Sequence, residues 1–163
     1  MKKYLVIAVL AAIGIFNAIY LSIPAYEYWN GADSSALQMM PCDISDKLSC
    51  SGILQNPRAI IFSFGDFKIA FPMIAAVVYP ILFLIALWGW FSKTTCPAKI
   101  LTGLSAGGML FNSYVITQEF IVWVFCPLCA MCTVIIITIF IISICIWKWV
   151  PNDTKKAHKK TAQ

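Results

Sequence analysis

Residues 120–147 read FIVWVFCPLCAMCTVIIITIFIISICIW and contain no charged side chain. A helix needs about 20 consecutive apolar residues to cross a hydrocarbon core of roughly 30 Å, and this stretch exceeds that length. Pro127 suits the first turn of a helix, where its missing N–H is not needed, and residues 127–147 would span the core on their own. The stretch therefore predicts a transmembrane helix that has Cys126 and Cys129 at its beginning.

Three earlier apolar runs repeat this pattern, and the composition agrees with it. The chain of 163 residues is 61% hydrophobic and 12% charged, whereas soluble domains carry about 25% charged residues. The first run is longer than the apolar part of a signal peptide and lacks a small-x-small cleavage site, which favours an uncleaved helix. We therefore predict an all-α integral membrane protein whose domain (residues 1–150) is a four-helix bundle, with spans at about 4–23, 69–91, 98–118 and 124–147 and a basic cytoplasmic tail at 151–163.

The basic residues predict the orientation of this bundle. With four spans, nine of the twelve basic residues fall on one side, which the positive-inside rule assigns to the cytoplasm. Both termini should then be cytoplasmic in a multi-pass protein of the cell membrane. The net charge of +5 is explained by this topology and by contact with anionic lipid, and we predict no nucleic-acid binding. The nine residues are Lys2, Lys3, Lys93, Lys99, Lys148, Lys155, Lys156, Lys159 and Lys160.

The connections between the spans are unequal in length. Residues 24–68 form a long external loop, and the amphipathic stretches 51–54 and 59–62 predict a partly helical cap on the bundle. The other connections are short, with residues 92–99 inside and a turn near Gln118 and Glu119 outside. This placement leaves no acidic residue or histidine within a span, which counts against a metal-handling protein. The spacing of Gly103 and Gly107 predicts close packing of the third span against a neighbour.

The seven cysteines separate by their predicted position relative to the membrane. Cys42 and Cys50 lie in the external loop, where an oxidising environment favours a disulfide; the pair is either a structural staple or a redox pair. Cys126 and Cys129 are three residues apart at a helix start, where partial positive charge favours a thiolate. This pairing of a reactive thiol with a neighbour is what thiol–disulfide exchange requires.

Depth within the membrane predicts the direction of electron flow. Cys129 lies one helical turn, roughly 4.5 Å, deeper than Cys126. Cys126 can therefore face the loop cysteines while Cys129 faces hydrocarbon, where a redox partner would be a quinone. Three cysteines on successive turns of one helix cannot enclose an iron–sulfur cluster, so no metal is predicted. The remaining cysteines are predicted to be packing residues or free thiols: Cys96, Cys132 and Cys145.

These motifs resemble the vitamin K epoxide reductase family in its bacterial or archaeal form. The resemblance covers about residues 1–148 and depends most on the cysteines, with the loop pair preceding the helix pair in the chain. Its three parts are Cys42-Asp43-x6-Cys50-Ser51, Phe64-Gly65 with Phe71-Pro72 opening the next span, and Cys126-x-x-Cys129 at the outer end of the fourth span.

The resemblance implies a four-helix bundle around a quinone and a role for each cysteine. Cys126 and Cys129 would be the active-site pair near the extracytoplasmic face, with Cys129 nearest the quinone. Cys42 would meet the thiol donor, and Cys50 would form the mixed disulfide with Cys126. The implied quinone-binding positions are Leu54, Lys68, Phe71 and Thr133.

The sequence departs from the family in two respects. Animal members have a phenol at the position of Thr133 and an amide near Lys68, which counts against vitamin K epoxide as the substrate. Many bacterial relatives carry a fused thioredoxin-like domain, and this chain ends at Gln163 without one. The thioredoxin-like partner is therefore expected to be a separate protein.

Three functions follow from these observations. The first is a quinone-dependent thiol–disulfide oxidoreductase that uses menaquinone, ubiquinone or a vitamin K-like quinone and supports disulfide formation in extracytoplasmic proteins. The second is a reductase of a vitamin K-type naphthoquinone or its epoxide, and the choice depends on relative reduction potentials. The third is not enzymatic: a disulfide-stapled membrane scaffold.

Overall fold

The structure, a computed structural model, describes residues 2–31, 40–92 and 96–161, with residues 149–161 as backbone only. Four of its helices are long and apolar enough to cross a membrane, and many of their large apolar side chains face outward, as hydrocarbon requires. The predicted four-helix membrane fold is confirmed. The elements are α1 Lys2–Asn30, α2 Cys50–Leu54, a 3₁₀ turn Pro57–Ala59, β1 Ile60–Phe64, β2 Phe67–Ala70, α3 Phe71–Phe91, α4 Cys96–Val122 and α5 Pro127–Thr161.

Helix α1 extends well past the predicted end of the first span at residue 23, and Pro24 lies inside it. Tertiary contacts hold its last turn. The indole Nε1–H of Trp29 donates to the Leu54 carbonyl at 2.9 Å, and the Asn30 side chain accepts from the backbone N–H of Lys68 at 2.6 Å. The external loop therefore begins after residue 30, because these bonds join the helix end to the loop.

Helix α4 also continues past its predicted end, through Val122. The turn predicted near Gln118 and Glu119 was wrong, since the chain reverses at Trp123, which adopts a positive φ of 57°. Glu119 consequently lies within a candidate membrane span and is buried. The expectation that the spans contain no acidic residue is corrected by this placement.

The external loop is helical only in part. Residues 50–54 form the short helix α2, in line with the predicted cap, but residues 60–64 form a strand that pairs antiparallel with β2. The β-branched Ile60 and Ile61 favour this extended conformation. Gly65 provides the turn, because its φ of 60° is readily adopted only by glycine.

The buried side chains form two clusters. The larger one joins α1, α3, α4 and α5 along the bundle and includes Ile7, Leu82, Leu101 and Ile139. The smaller one, which we call the outer cluster, joins the bundle to the external loop and contains Cys50, Cys126 and Cys129. The chemistry-bearing residues therefore lie where the loop meets the helices.

The basic residues used to predict orientation lie partly in the described ranges. Lys93 lies outside the described residues, as do Met1 and residues 162–163. Helix α5 continues through the predicted tail as far as Thr161, and the side chains of the tail are not described. The orientation of the bundle remains a prediction from the sequence.

Candidate active site

A disulfide joins Cys42 to Cys50. Cys50 begins α2 and is fully buried, whereas Cys42 is partly exposed. The arrangement makes Cys42 the more accessible member of the loop pair.

The loop around this disulfide is organised by the carboxylate of Asp43. Its Oδ1 accepts hydrogen bonds from the Ser49 hydroxyl at 2.8 Å and from the Ser51 backbone N–H at 3.0 Å, and its Oδ2 accepts from the Met40 N–H at 3.2 Å. Burial by itself would raise the pKa of Asp43, but these hydrogen bonds outweigh it and hold that pKa below its usual value. The carboxylate thus fixes the turn that presents Cys50.

Backbone hydrogen bonds dock the loop against the segment that precedes α5. The N–H of Phe125 donates to the Lys47 carbonyl at 2.8 Å, and the N–H of Ser49 donates to the Phe125 carbonyl at 3.0 Å. This pairing places the Sγ of Cys126 3.4 Å from the Sγ of Cys50. A thiol and a disulfide sulfur are therefore in contact within the outer cluster.

Cys126 and Cys129 are free thiols at the N-terminus of α5. Cys126 precedes Pro127, and its Sγ accepts from the backbone N–H of Cys129 at 3.3 Å. The sulfur thus caps the helix end, where partial positive charge stabilises negative charge. The predicted arrangement of two thiols at a helix start is present, and Cys126 is the one that faces the loop.

Glu119 is a third polar residue of this cluster, and sequence analysis placed it outside the membrane. It is 4% exposed, and its Oε1 has no hydrogen-bond partner among the described residues. One carboxylate oxygen and the sulfur atoms of Cys126 and Cys129 all lie within 4.8 Å of one another, so together they could hold a metal ion. The apolar residues 120–122 that follow Glu119 were the signal that α4 continues.

A cavity of about 340 Å³ lies inside the bundle next to Cys129. This volume falls within the usual range of small-molecule sites, roughly 300–1,000 Å³, and the wall is mainly apolar, which suits a quinone ring. Cys129 lines the cavity and Cys126 does not. The lining residues are Ala18, Leu21, Phe71, Pro72, Ile74, Ala75, Val78, Tyr79, Gly103, Leu104, Gly107, Gly108, Phe111, Asn112, Val115, Cys129, Cys132 and Ile136.

Of the four quinone-binding positions implied by the resemblance, Phe71 alone lines this cavity. Leu54 is buried in the outer cluster, and the Lys68 ammonium lies 4.9 Å from the centroid of the Trp29 ring. Thr133 lies behind the wall, where its Oγ1 accepts from the Asn112 side chain at 2.6 Å. Asn112 therefore brings a polar group to the cavity at a position that sequence analysis did not identify.

The glycines of α4 have a different role from the one predicted. A Cβ added at Gly103 or Gly107 would meet nothing within 4 Å, and both residues line the cavity. The predicted close helix packing at this pair was wrong, because the two positions border open space. Close approach occurs instead at Gly14, where an added Cβ would overlap the ring of Tyr79.

The remaining cysteines lie away from the contact between the two pairs. Cys96 and Cys145 are exposed on the helices. Cys132 is partly buried on the cavity wall, and its Sγ accepts from the Asn17 side chain at 3.0 Å.

Comparison with known proteins assigns a family to this arrangement. The sequence model of the vitamin K epoxide reductase family matches residues 5–144. This range contains both cysteine pairs, Glu119 and the whole cavity lining. No curated protein matches the chain.

Proposed function

Because the chain belongs to the vitamin K epoxide reductase family, we propose that it is a quinone-dependent oxidase of protein thiols. Family membership indicates a membrane thiol oxidoreductase of a family that uses quinones. The proposal adds a separate thioredoxin-like donor, a membrane quinone as acceptor and an active site near the extracytoplasmic face. The observation that carries it is the 3.4 Å contact between Cys50 and Cys126.

The first step of the proposed cycle takes place at the partly exposed Cys42. A reduced donor dithiol exchanges with the Cys42–Cys50 disulfide, so the donor becomes a disulfide and the loop pair becomes a dithiol. Exposure of Cys42 and burial of Cys50 support Cys42 as the sulfur that the donor attacks, because exchange requires access to the attacked sulfur.

The second step moves two electrons from the loop to the helix. The Cys50 thiolate attacks Cys126 of an oxidised Cys126–Cys129 pair; a Cys50–Cys126 bond forms, and the electron pair of the broken bond leaves on Cys129. Cys42 then attacks Cys50, which restores the loop disulfide and leaves the helix pair reduced. In the structure, Cys42 and Cys50 form a disulfide, while Cys126 and Cys129 are free thiols.

In the last step the helix dithiol becomes a disulfide, and its two electrons and two protons convert the quinone to a hydroquinone. Cys129 supports this role because it borders the cavity, while its neighbour Cys126 faces the loop. The apolar wall would hold the ring and exclude water, and Asn112 would bring a hydrogen-bonding group to it. Phe71 would contact the quinone in this scheme, and Thr133 would hold Asn112 at the wall through its hydrogen bond, whereas Leu54 and Lys68 do not line the cavity.

The test is quinone reduction by the purified protein with reduced thioredoxin as the donor. We expect one hydroquinone for each dithiol oxidised, with a menaquinone analogue or ubiquinone as acceptor, and no turnover by Cys126→Ala. A Cys145→Ala variant is the matched control, because Cys145 is exposed and far from the contact. Absence of quinone reduction by the folded protein would contradict the proposal and favour the disulfide-stapled scaffold.

Two further experiments distinguish the thiol oxidase from an epoxide reductase and from a metal centre. Supplying a naphthoquinone epoxide with dithiothreitol tests the reductase function, and faster turnover of the epoxide than of the quinone would favour it. Zinc, which accepts sulfur and carboxylate donors, tests whether Glu119, Cys126 and Cys129 form a metal centre. Turnover that requires zinc, or zinc that copurifies with the reduced protein, would contradict the prediction that no metal is used.

A further inference from the structure

Glu119 is an acidic residue in a part of the bundle where charge is expensive. It lies in the last turns of α4, it is 4% exposed, and its Oε1 is buried without a hydrogen-bond partner among the described residues. A carboxylate removed from water without a cation costs free energy, whereas the protonated carboxyl costs much less. The site therefore suits a group that gains and loses a proton.

The carboxyl group of Glu119 is directed at the reactive thiols. One of its oxygens and the sulfur atoms of Cys126 and Cys129 all lie within 4.8 Å of one another. The thiol of Cys129 is consequently bordered by the cavity and by a carboxyl group. No other carboxylate and no histidine belongs to this cluster in the described part of the chain.

Other ionisable groups near this site do not replace Glu119. Cys132 lies one turn further along α5, where Asn17 and Tyr79 hold it. From the loop, Cys50 is in a disulfide. Arg58 of the 3₁₀ turn reaches the neighbouring Gln118 at 3.3 Å on the exposed side, and no described basic residue forms an ion pair with Glu119.

We propose that Glu119 is the catalytic acid–base residue that exchanges a proton with Cys129. The inference rests on the proposed thiol oxidase function and adds the path of one proton. When the helix pair is oxidised, the S–H bond of Cys129 breaks, the proton moves to the Glu119 carboxylate, and the electron pair stays on sulfur for transfer to the quinone. The proton then leaves Glu119 to complete one O–H bond of the hydroquinone.

The reverse transfer serves the exchange between the two pairs. Attack of Cys50 on Cys126 breaks the Cys126–Cys129 bond and leaves a thiolate on Cys129. The carboxyl of Glu119 then returns a proton to that sulfur, so that the buried site never holds two negative charges. Atoms and electrons balance, because Glu119 gains this proton from the Cys50 thiol when that thiol becomes the attacking thiolate. In the other half of the cycle it gains the Cys129 proton and passes that one to the hydroquinone. The second proton moves from Cys42 to Cys126 during the exchange and from Cys126 to the hydroquinone during the oxidation.

The first test measures the thiol directly and does not need a quinone. In a Cys126→Ser background, the rate at which iodoacetamide alkylates Cys129 is followed against pH by mass spectrometry, with and without Glu119→Gln. We expect two titration steps with Glu119 present, because carboxyl and thiol interact, and one step with Gln. The matched control is Asp46→Asn, an exposed carboxyl of the loop. Identical profiles with Glu and Gln at residue 119 would overturn the proposal.

The second test measures turnover. Glu119→Gln should lower the rate at which quinone is reduced to hydroquinone by about 100-fold, as loss of an acid–base group typically does. It should also remove the limb of the pH–rate profile that Glu119 causes. Glu119→Asp should recover part of the rate and the pH dependence, because a carboxyl group remains. A Gln variant with unchanged rate and pH profile would reject the role.

Two controls distinguish loss of the Glu119 role from misfolding and from failure of the proposed thiol oxidase function. Glu119→Gln keeps the shape of the side chain and removes a buried charge, so its thermal unfolding midpoint should not fall. If the unmodified protein reduces no quinone, the proposed function fails, while the alkylation profile still reports whether Glu119 and Cys129 share a proton.

Discussion

The sulfur atoms of Cys50 and Cys126 lie 3.4 Å apart, although 76 positions separate the two residues in the chain. The contact depends on the backbone pairing of Lys47 and Ser49 with Phe125, which sets the loop against the start of α5. A disulfide and a free thiol are therefore held next to each other by main-chain hydrogen bonds.

This contact predicts which mixed disulfide accumulates when resolution is blocked. In the double variant Cys42→Ala, Cys129→Ala, neither pair retains the thiol that would resolve a bond between Cys50 and Cys126. With added quinone as the two-electron oxidant, we expect that linkage as the main product after non-reducing digestion and peptide mapping. The single variant Cys42→Ala is the control, since Cys129 can still resolve the bond. A Cys50–Cys129 product would show that Cys129, and not Cys126, faces the loop.

The cysteines should divide into four that are essential and three that are not. Alanine at Cys42, Cys50, Cys126 or Cys129 should reduce thiol-driven quinone reduction to background, because each relay step needs both members of a pair. Alanine at the other three should leave most of the rate, since a buried free cysteine behaves as a small hydrophobe. Loss of turnover in a folded Cys132→Ala variant would assign that residue a role in the cavity that we do not predict. The three are Cys96, Cys132 and Cys145.

Filling the cavity should separate quinone reduction from disulfide exchange. Gly107→Leu adds a side chain where a Cβ meets open space, and overpacking an occupied site costs about 1–3 kcal/mol, or roughly 5- to 150-fold in quinone affinity. The KM for quinone should rise while the trapped Cys50–Cys126 linkage still forms. Leu110→Phe, on the outward face of the same helix, should change neither, and an unaltered KM in Gly107→Leu would place the quinone elsewhere.

Asp43 should stabilise the loop at pH values at which its carboxyl group is ionised. Its folded pKa lies below its usual value, so the stabilisation is present above the unfolded pKa of about 3.9 and is lost as the pH falls through the lower folded value. Asp43→Asn should therefore cost about 1 kcal/mol at neutral pH, roughly 2–4 °C in the unfolding midpoint, and this difference should disappear in acid. Equal midpoints at neutral pH would mean that the hydrogen bonds of Asp43 do not hold the loop.

The orientation of the bundle in the membrane can be tested with reporter fusions at the C-terminus and in the loop. The basic residues predict cytoplasmic termini, so an alkaline phosphatase fusion after Gln163, which folds only outside the cytoplasm, should be inactive. A fusion inserted in the loop after Asp46 should be active. Activity after Gln163 would place the loop cysteines in the reducing compartment and remove the basis for an external thiol donor.

Several features could be predicted from local sequence because their causes are local. Uncharged runs such as residues 120–147 are long enough to cross a membrane. They must be helical there, because hydrocarbon offers no hydrogen-bond partner and each backbone group has to be satisfied within the segment. Pro127 indicated where α5 begins, and the spacing of Cys126 and Cys129 placed two thiols on its first turns. The family resemblance rested on the same residues, and the match over residues 5–144 agrees with it.

The amino-acid sequence alone thus determined the number of spanning helices and the presence of two cysteine pairs, because hydrophobic length and residue spacing act within one segment. Only the tertiary structure decided that α4 carries Glu119 into the site and that Gly107 borders a cavity. It also decided that residues 60–64 form a strand, and it places Cys50 against Cys126, a contact that the family resemblance implied but that no local pattern predicts. These features depend on contacts between segments that are distant in the chain, and such contacts leave no periodic signal in any one segment.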